Sequence, residues 1–103
     1  MAERHGAEIT VIEEEWGKPI DPARVEAELK QVSYKLIALV HAETSTGVLQ
    51  PLDDIAQLAK KYDTMIMLDT VSSLGGIETK VDEWGIDGCF SCFQKCIGCA
   101  AGL

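Results

Sequence analysis

The stretch that most constrains the fold is residues 64–76, TMIMLDTVSSLGG, in which a short apolar run ends in a carboxylate. Residues 65–68 are all apolar with no helical period, and Asp69 closes the run. Runs of this kind are typical of strands buried in a parallel sheet. Ligands of open α/β sheets bind beyond the carboxyl ends of the strands, so we expect Asp69 to face a ligand site. Its charge then needs a cation or several hydrogen-bond donors.

The rest of the chain alternates between further apolar runs and amphipathic segments. Strands are predicted at residues 7–12, 34–41, 65–69 and 88–93, and the almost wholly apolar run 34–41 is expected to be central. Helices are predicted at residues 22–31, after an Asp21-Pro22 start signal, and from Pro51 to about residue 62. A brief strand and a turn of helix are expected in residues 77–84. This order predicts an α/β fold of parallel strands with right-handed helical crossovers.

Two helices are too few for such a sheet, because parallel strands are normally covered on both faces. The 103 residues suffice for one small domain. We nevertheless expect residues 1–103 to form part of a larger domain. An apolar sheet face left without helices would favour self-association.

Composition and charge exclude several classes of protein. The net charge of −8 argues against binding to nucleic acid or to an anionic membrane surface. No apolar run approaches the roughly 20 residues of a membrane-spanning helix, and the amino terminus has no apolar signal core. All four cysteines lie in the last 15 residues, which is not the pattern of a secreted disulfide framework. A cytoplasmic protein, or one of an organellar matrix, is expected.

Polar residues follow three of the predicted strands. Lys95 follows the strand at 88–93, and His41 with the hydroxyl-rich segment 43–47 follows the strand at 34–41. Because parallel strands end at the same edge, Asp69 and Lys95 can share a site, or they can be a turn aspartate and a solvated lysine. The hydroxyls can cradle a small anion or a ring substituent, or satisfy their own turn. His41 is either a ligand or a hydrogen-bonded residue behind the site.

The four cysteines have the spacing C-x2-C-x3-C-x2-C, at Cys89, Cys92, Cys96 and Cys99. Paired C-x2-C motifs suggest zinc or an iron–sulfur cluster, but a three-residue spacer is short for two zinc knuckles. In the predicted strand, Cys89 and Cys92 would also point to opposite faces. Free thiols are therefore expected and no metal site is predicted, with a small cysteine-ligated metal protein kept as an alternative.

Three segments carry a resemblance to a known family: HAETSTGVLQPLDDIAQLAKKY, MLDTVSSLGGIETKVDEWGID and SCFQKCIG. In order and spacing they resemble the core of class V aminotransferases, which are pyridoxal-phosphate enzymes of fold type I. The branch they resemble most is that of alanine–glyoxylate and serine–pyruvate aminotransferases. The resemblance covers nearly the whole chain and implies part of the large, cofactor-binding domain of such an enzyme.

The resemblance also implies roles for individual residues. Lys95 would be the catalytic lysine that carries the Schiff base, and Asp69 would pair with the pyridine nitrogen of pyridoxal 5'-phosphate. A carboxylate suits that task, because it holds the ring proton by a charge-assisted hydrogen bond. Val71 would pack on the ring and Gln94 would lie beside the phosphate. The implied cofactor contacts are completed by Thr44 and His41.

The activity implied is transfer of an amino group between a small amino acid and a 2-oxo acid, in a homodimer. The segments that provide the family's phosphate loop and its substrate-carboxylate arginine are absent from these residues. The 103 residues alone are therefore expected to be inactive or very weak. The alternative from another class is a truncated, non-catalytic chain that folds and self-associates.

Overall fold

The structure, a computed structural model, describes residues 2–102, and three parallel strands form its centre. A short 3-10 helix, Ala2–His5, precedes the regular elements. These are α1 (Pro22–Gln31), β1 (Leu36–Val40), α2 (Asp53–Lys61), β2 (Met65–Asp69), α3 (Val81–Trp84) and β3 (Gly88–Phe90). The sheet order is β1-β2-β3, with both pairs parallel. The predicted α/β class with parallel strands is therefore confirmed.

The strand register divides the sheet into two unlike faces. Leu36 pairs with Met65 and Ile37 with Ile66, so the even-numbered residues of β1 lie on the same face as the odd-numbered residues of β2. Ile66 and Leu68 are buried, Leu68 completely, whereas Met65 and Met67, which alternate with them, are exposed. One face of β2 is thus covered and the other is open.

Helices α1 and α2 provide the cover. The helix α1 begins as predicted, with Pro22 in its first turn and Asp21 Oδ1 accepting the N–H of Ala23 at 2.9 Å. Buried side chains of α1 and α2 form a cluster with Ile37 and Leu39 of β1, and a second cluster extends to Trp84 and Ile86. The buried members of the two clusters are Val25, Leu29, Ile55, Ala56, Ala59 and Ile66.

The opposite face has no helical cover within residues 2–102. It presents large apolar side chains that are 38–50% exposed: Leu36, Val40, Met65, Met67 and Phe90. We call these five residues the open face. Asp69 lies on the same side of the sheet, because it pairs with Val40 in β1 and with Phe90 in β3. The expectation that two helices are too few for the sheet is confirmed for the part of the chain described.

Two strand predictions were wrong. Residues 7–12 form no strand, since no neighbouring strand pairs with them and the side chains of Ile9 and Val11 face solvent. Their β-branched residues favour an extended backbone, but strand formation also requires a neighbouring strand to pair with. The strand near residues 34–41 is not central but lies at the edge of the three-stranded sheet, with β2 in the middle.

Several boundaries also differ from the prediction. The helix expected from Pro51 begins at Asp53. In residues 77–84 a bridge between Leu74 and Ile77 replaces the brief strand, and the turn of helix is α3. The last strand ends at Phe90, so Cys92 lies outside it, and the argument from opposite strand faces does not apply to the cysteines. No helix in the described residues combines the length and apolar character needed to cross a membrane.

We expect substitutions on the covered and open faces to differ in their effect on the stability of the 103-residue chain. Leu68→Ala should lower the free energy of unfolding by about 2–5 kcal/mol, because it leaves a cavity on the helix-covered face of the sheet. Met65→Ala, in the same strand but on the open side of the sheet, should change it by less than about 1 kcal/mol. Urea unfolding followed by circular dichroism measures both. Equal losses at the two positions would contradict the assignment of the open side.

Candidate functional site

Three loops leave the carboxyl ends of the three strands and lie next to one another. The first loop, residues 41–50, follows β1; the second, residues 70–76, follows β2; the third, residues 91–99, follows β3. Main-chain hydrogen bonds join their first residues. The N–H of His41 donates to Asp69 O and the N–H of Thr70 donates to Phe90 O, each at 2.9 Å. The parallel pairing therefore extends into the base of the loops.

Asp69 is held in one orientation with part of its carboxylate free. Its Oδ1 accepts the N–H of Val71 at 2.8 Å, the local turn bond that aspartate commonly makes. Within residues 2–102 no hydrogen bond reaches its Oδ2. The side chain is partly buried, and Val71 beside it is half-buried. This leaves a carboxylate oxygen available to a cationic N–H group at the edge of the sheet.

Two hydroxyls of the second loop bind the first loop. Ser72 Oγ and Thr44 Oγ1 are hydrogen-bonded to each other, and Ser73 Oγ lies 3.0 Å from His41 Nδ1. Ser73 is completely buried. Sequence reasoning did not single out Ser72 and Ser73, although their paired hydroxyls next to the aspartate were the available signal.

In the rest of the first loop, polar side chains bond within their own turn, which is one of the two alternatives that the sequence left open. Glu43 Oε1 accepts both the N–H and the hydroxyl of Ser45 at 2.9 Å, and these hydrogen bonds lower the pKa of Glu43. Thr46 Oγ1 accepts the N–H of Val48. These side chains satisfy their own turn. Thr44 is the hydroxyl that reaches another loop.

His41 lies beneath the loops rather than in an open mouth. Only 3% of it is exposed, and its ring packs edge-to-face on Trp84 with 5.5 Å between the ring centroids. Burial lowers the pKa of His41 from its ordinary value of 6.5, so the ring is mainly neutral at pH 7. The structure places His41 as a hydrogen-bonded support for Ser73. Its contact with a cofactor stays a prediction.

Lys95 lies in a turn that the third loop forms at residues 93–97. Hydrogen bonds of 2.9 Å from the N–H of Gly98 to Lys95 O and from the N–H of Cys99 to Phe93 O close this segment. Lys95 is exposed, and within the described residues no carboxylate forms an ion pair with it. No ion pair within residues 2–102 thus holds its amine in place. Gln94 is likewise exposed.

The turn at residues 93–97 contacts the second loop through Cys96, the residue after Lys95. Cys96 Sγ donates to Ser72 O at 3.1 Å. Asp69 and Lys95 are therefore attached to neighbouring segments at one edge of the sheet, as the strand-end argument predicts. Their roles toward a ligand stay predictions.

The cysteines do not form a ligand set in this structure. All four are free, and Cys89, Cys96 and Cys99 are exposed. Across residues 2–102 no group of three or more His, Cys, Asp or Glu side chains is placed to hold a metal ion. The alternative of a cysteine-ligated metal protein stays untested.

The arrangement has two of the groups that pyridoxal phosphate requires. The cofactor needs a carboxylate for its ring nitrogen and an amine for its aldehyde carbon. Within residues 2–102, an aspartate oxygen that accepts no hydrogen bond and a lysine that forms no ion pair lie on adjacent strand-end segments. The hydroxyls of Thr44 and Ser72 lie at the same edge. The donor set therefore fits this cofactor.

Burial of His41 makes stability depend on pH with a definite sign. Because its folded pKa lies below 6.5, the unfolded chain binds more protons in that range, and stability falls as the pH drops below about 6.5. His41→Asn keeps a polar partner for Ser73 but cannot take up the proton. Urea unfolding at about pH 7.5 and about pH 5.5 should show a smaller loss for this variant. The control is His5→Asn, at an exposed histidine, which should retain the parent's loss.

Comparison with known proteins agrees with the geometry. The sequence model of the family "Aminotransferase class-V" matches residues 1–103. The (S)-ureidoglycine–glyoxylate transaminase of Bacillus subtilis is 42% identical over 103 residues, which are all of this chain and 25% of that protein. The chain thus spans about a quarter of that relative's length.

Solved structures give the same result. The crystal structure of ureidoglycine–glyoxylate aminotransferase from Bacillus subtilis superposes with a TM-score of 0.92 at 42% identity, over 98% of this chain and 26% of that one. The structure of alanine–glyoxylate aminotransferase from Nostoc sp. also gives 0.92, at 40% identity over 98% of this chain and 27% of that one. The fold is that of part of the fold type I aminotransferase large domain, and the chain belongs to the class V aminotransferase family.

Proposed function

We propose that this chain carries the cofactor core of a pyridoxal-phosphate-dependent aminotransferase that acts on a small amino acid and a 2-oxo acid. The observation that supports this most directly is that Asp69 and Lys95 lie on adjacent strand-end segments, and that within residues 2–102 one Asp69 oxygen accepts no hydrogen bond and Lys95 forms no ion pair. Membership of the class V family supports the same assignment. When bound, the cofactor supplies an electron sink for the substrate's Cα electrons.

Asp69 would hold the ring nitrogen in its protonated form. Its Oδ1 is already engaged by Val71 N–H, so Oδ2 is the oxygen that would accept the ring proton. A hydrogen bond between two charged groups at a partly buried site stabilises the protonated ring. Val71 would provide an apolar contact for the ring, while Thr44 and Gln94 would bind its polar substituents. His41 would act from behind, through Ser73.

Lys95 has two tasks in this proposal. Its Nζ would hold the cofactor at the aldehyde carbon. The same amine, when free, would act as general base toward the proton at the substrate Cα. An exposed lysine without a carboxylate partner suits both tasks, because no ion pair has to break first.

The proposed amino acceptor is glyoxylate or a similarly small 2-oxo acid, because the two kinds of relative compared above are both named for glyoxylate. The amino donor depends on segments outside these residues, which span about a quarter of the Bacillus subtilis relative. We further propose a homodimer. The open face supports association, since large apolar side chains there are up to 50% exposed. For residues 1–103 taken alone, we propose cofactor capture without appreciable turnover.

Trapping with borohydride tests the assignment of Lys95. The chain is incubated with pyridoxal phosphate and reduced, and the modified peptide is identified by mass spectrometry. The adduct should lie on Lys95 and disappear in Lys95→Ala. The matched control is Lys35→Ala, which lies next to the amino end of β1, at the opposite sheet edge, and should leave the adduct unchanged. No adduct in the parent chain, or one that persists in Lys95→Ala, would contradict the proposal.

Asp69→Asn tests the ring contact, because it keeps the size of the side chain and an oxygen for Val71 N–H but removes the charge. Cofactor affinity should fall by about 10- to 100-fold, the effect of losing a hydrogen bond to a charged group. Fluorescence titration with pyridoxal phosphate measures it. Asp63→Asn, just before the amino end of β2, is the control and should bind like the parent. Equal affinities for the parent and Asp69→Asn would contradict the assigned contact.

A further inference from the structure

We propose that Cys96 is a positioning residue: its side chain, seated on Gly76 and hydrogen-bonded to the carbonyl of Ser72, fixes the turn that carries Lys95 against the loop that follows Asp69. This inference rests on the proposed function, because it assigns Cys96 a role in presenting Lys95 to the cofactor. Cys96 acts through its neighbour and need not touch the cofactor.

The contact between the third and second loops is close. Besides the 3.1 Å hydrogen bond to Ser72 O, Cys96 lies so near Gly76 that a Cβ added there would meet Cys96 Sγ at 2.9 Å and Cys96 Cβ at 3.2 Å. A Cβ at Gly75 would meet the Cys96 carbonyl oxygen at 3.6 Å. Side-chain carbons essentially never approach within 3.0 Å, so the seat exists because residue 76 has no side chain.

The two glycines serve different purposes. Gly75 has a φ of +89°, a conformation that favours glycine whatever surrounds it. Gly76 is not among the residues with positive φ, so its backbone is one that alanine adopts without strain. What glycine provides at position 76 is therefore space for Cys96. This makes Gly76→Ala a clean probe of the contact.

Few other contacts fix the outer part of the third loop. The base of the loop is fixed by Ser91 Oγ, which donates to Thr70 O at 3.1 Å. Beyond it, residues 93–100 are all exposed. The Cys96 contact thus ties the outer part of the loop to the second loop one residue after Lys95. Loss of the contact would let the lysine move relative to Asp69.

The test compares how fast variants form the covalent adduct with pyridoxal phosphate, in the protein at its natural full length. Gly76→Ala should slow adduct formation by about 10- to 100-fold, the effect expected when a reacting group is displaced by about 1 Å. Cys96→Ala should slow it by about 3- to 10-fold, because it loses one hydrogen bond and its packing. The double variant should recover much of the loss of Gly76→Ala, since the added methyl no longer meets Sγ.

A second readout separates positioning from general stability. The pH at which the absorbance of the lysine-bound cofactor titrates should shift in Gly76→Ala and Cys96→Ala, while the melting temperatures of the cofactor-free proteins stay close to the parent's. Cys99→Ala is the matched control. It removes an exposed thiol three residues further on, whose contact is a 3.9 Å approach to Ile97 O, and should change neither quantity.

The outcomes distinguish this inference from the function on which it rests. No adduct in the parent protein would overturn the proposed function and this inference with it. An adduct in the parent, with Gly76→Ala and Cys96→Ala equal to it in rate and in absorbance titration, would overturn this inference alone. Should Gly76→Ala not fold, Cys96→Ser decides, because it keeps a donor for Ser72 O. If Cys96→Ser forms the adduct at a rate nearer the parent's than Cys96→Ala does, the inference is supported. If both variants lose the same fraction of the rate, the inference is overturned.

Discussion

The parallel pairing of β2 with a strand on each side is the constraint on which the candidate site depends. Because all three strands run in one direction, their following loops begin at a single edge. Main-chain hydrogen bonds from His41 and Thr70 continue the pairing one residue past the strand ends. Residues separated by up to about 50 positions in the chain are thereby brought together without any direct contact between the first and third loops being required.

The loop after Asp69 is the common partner of the other two. Its serine hydroxyls bind Thr44 and His41 on one side, and its Ser72 carbonyl and Gly76 receive Cys96 on the other. A buried, mainly neutral His41 supports this loop without placing a charge under it. The loop thus supplies hydroxyls, a carbonyl and space; Asp69 precedes it, and the turn that carries Lys95 contacts it through Cys96.

The sheet is covered by helices on one side and open on the other, and Asp69 belongs to the open side. This asymmetry agrees with a chain that spans about a quarter of its relative's length. The groups at this sheet edge support the proposal of a cofactor site, and we assign the selection of substrates, also as a proposal, to segments outside these residues. An apolar face next to the site also makes association part of the same proposal.

Both main helices, three of the strands and the residue types at the strand ends follow from the amino-acid sequence alone. The Asp21 cap, the helical period of α2 and the acid at the end of an apolar run are written in neighbouring residues, and the motifs around Thr44, Asp69 and Lys95 identified the family before the fold was known. Which predicted strands pair depends on the tertiary structure: residues 7–12 pair with no other strand, and β1 lies at the edge of the sheet. It also decided that Ser72 and Ser73 bind the first loop and that Gly76 makes room for Cys96. Such contacts join residues distant in the chain, and periodicity or capping reports only on neighbours.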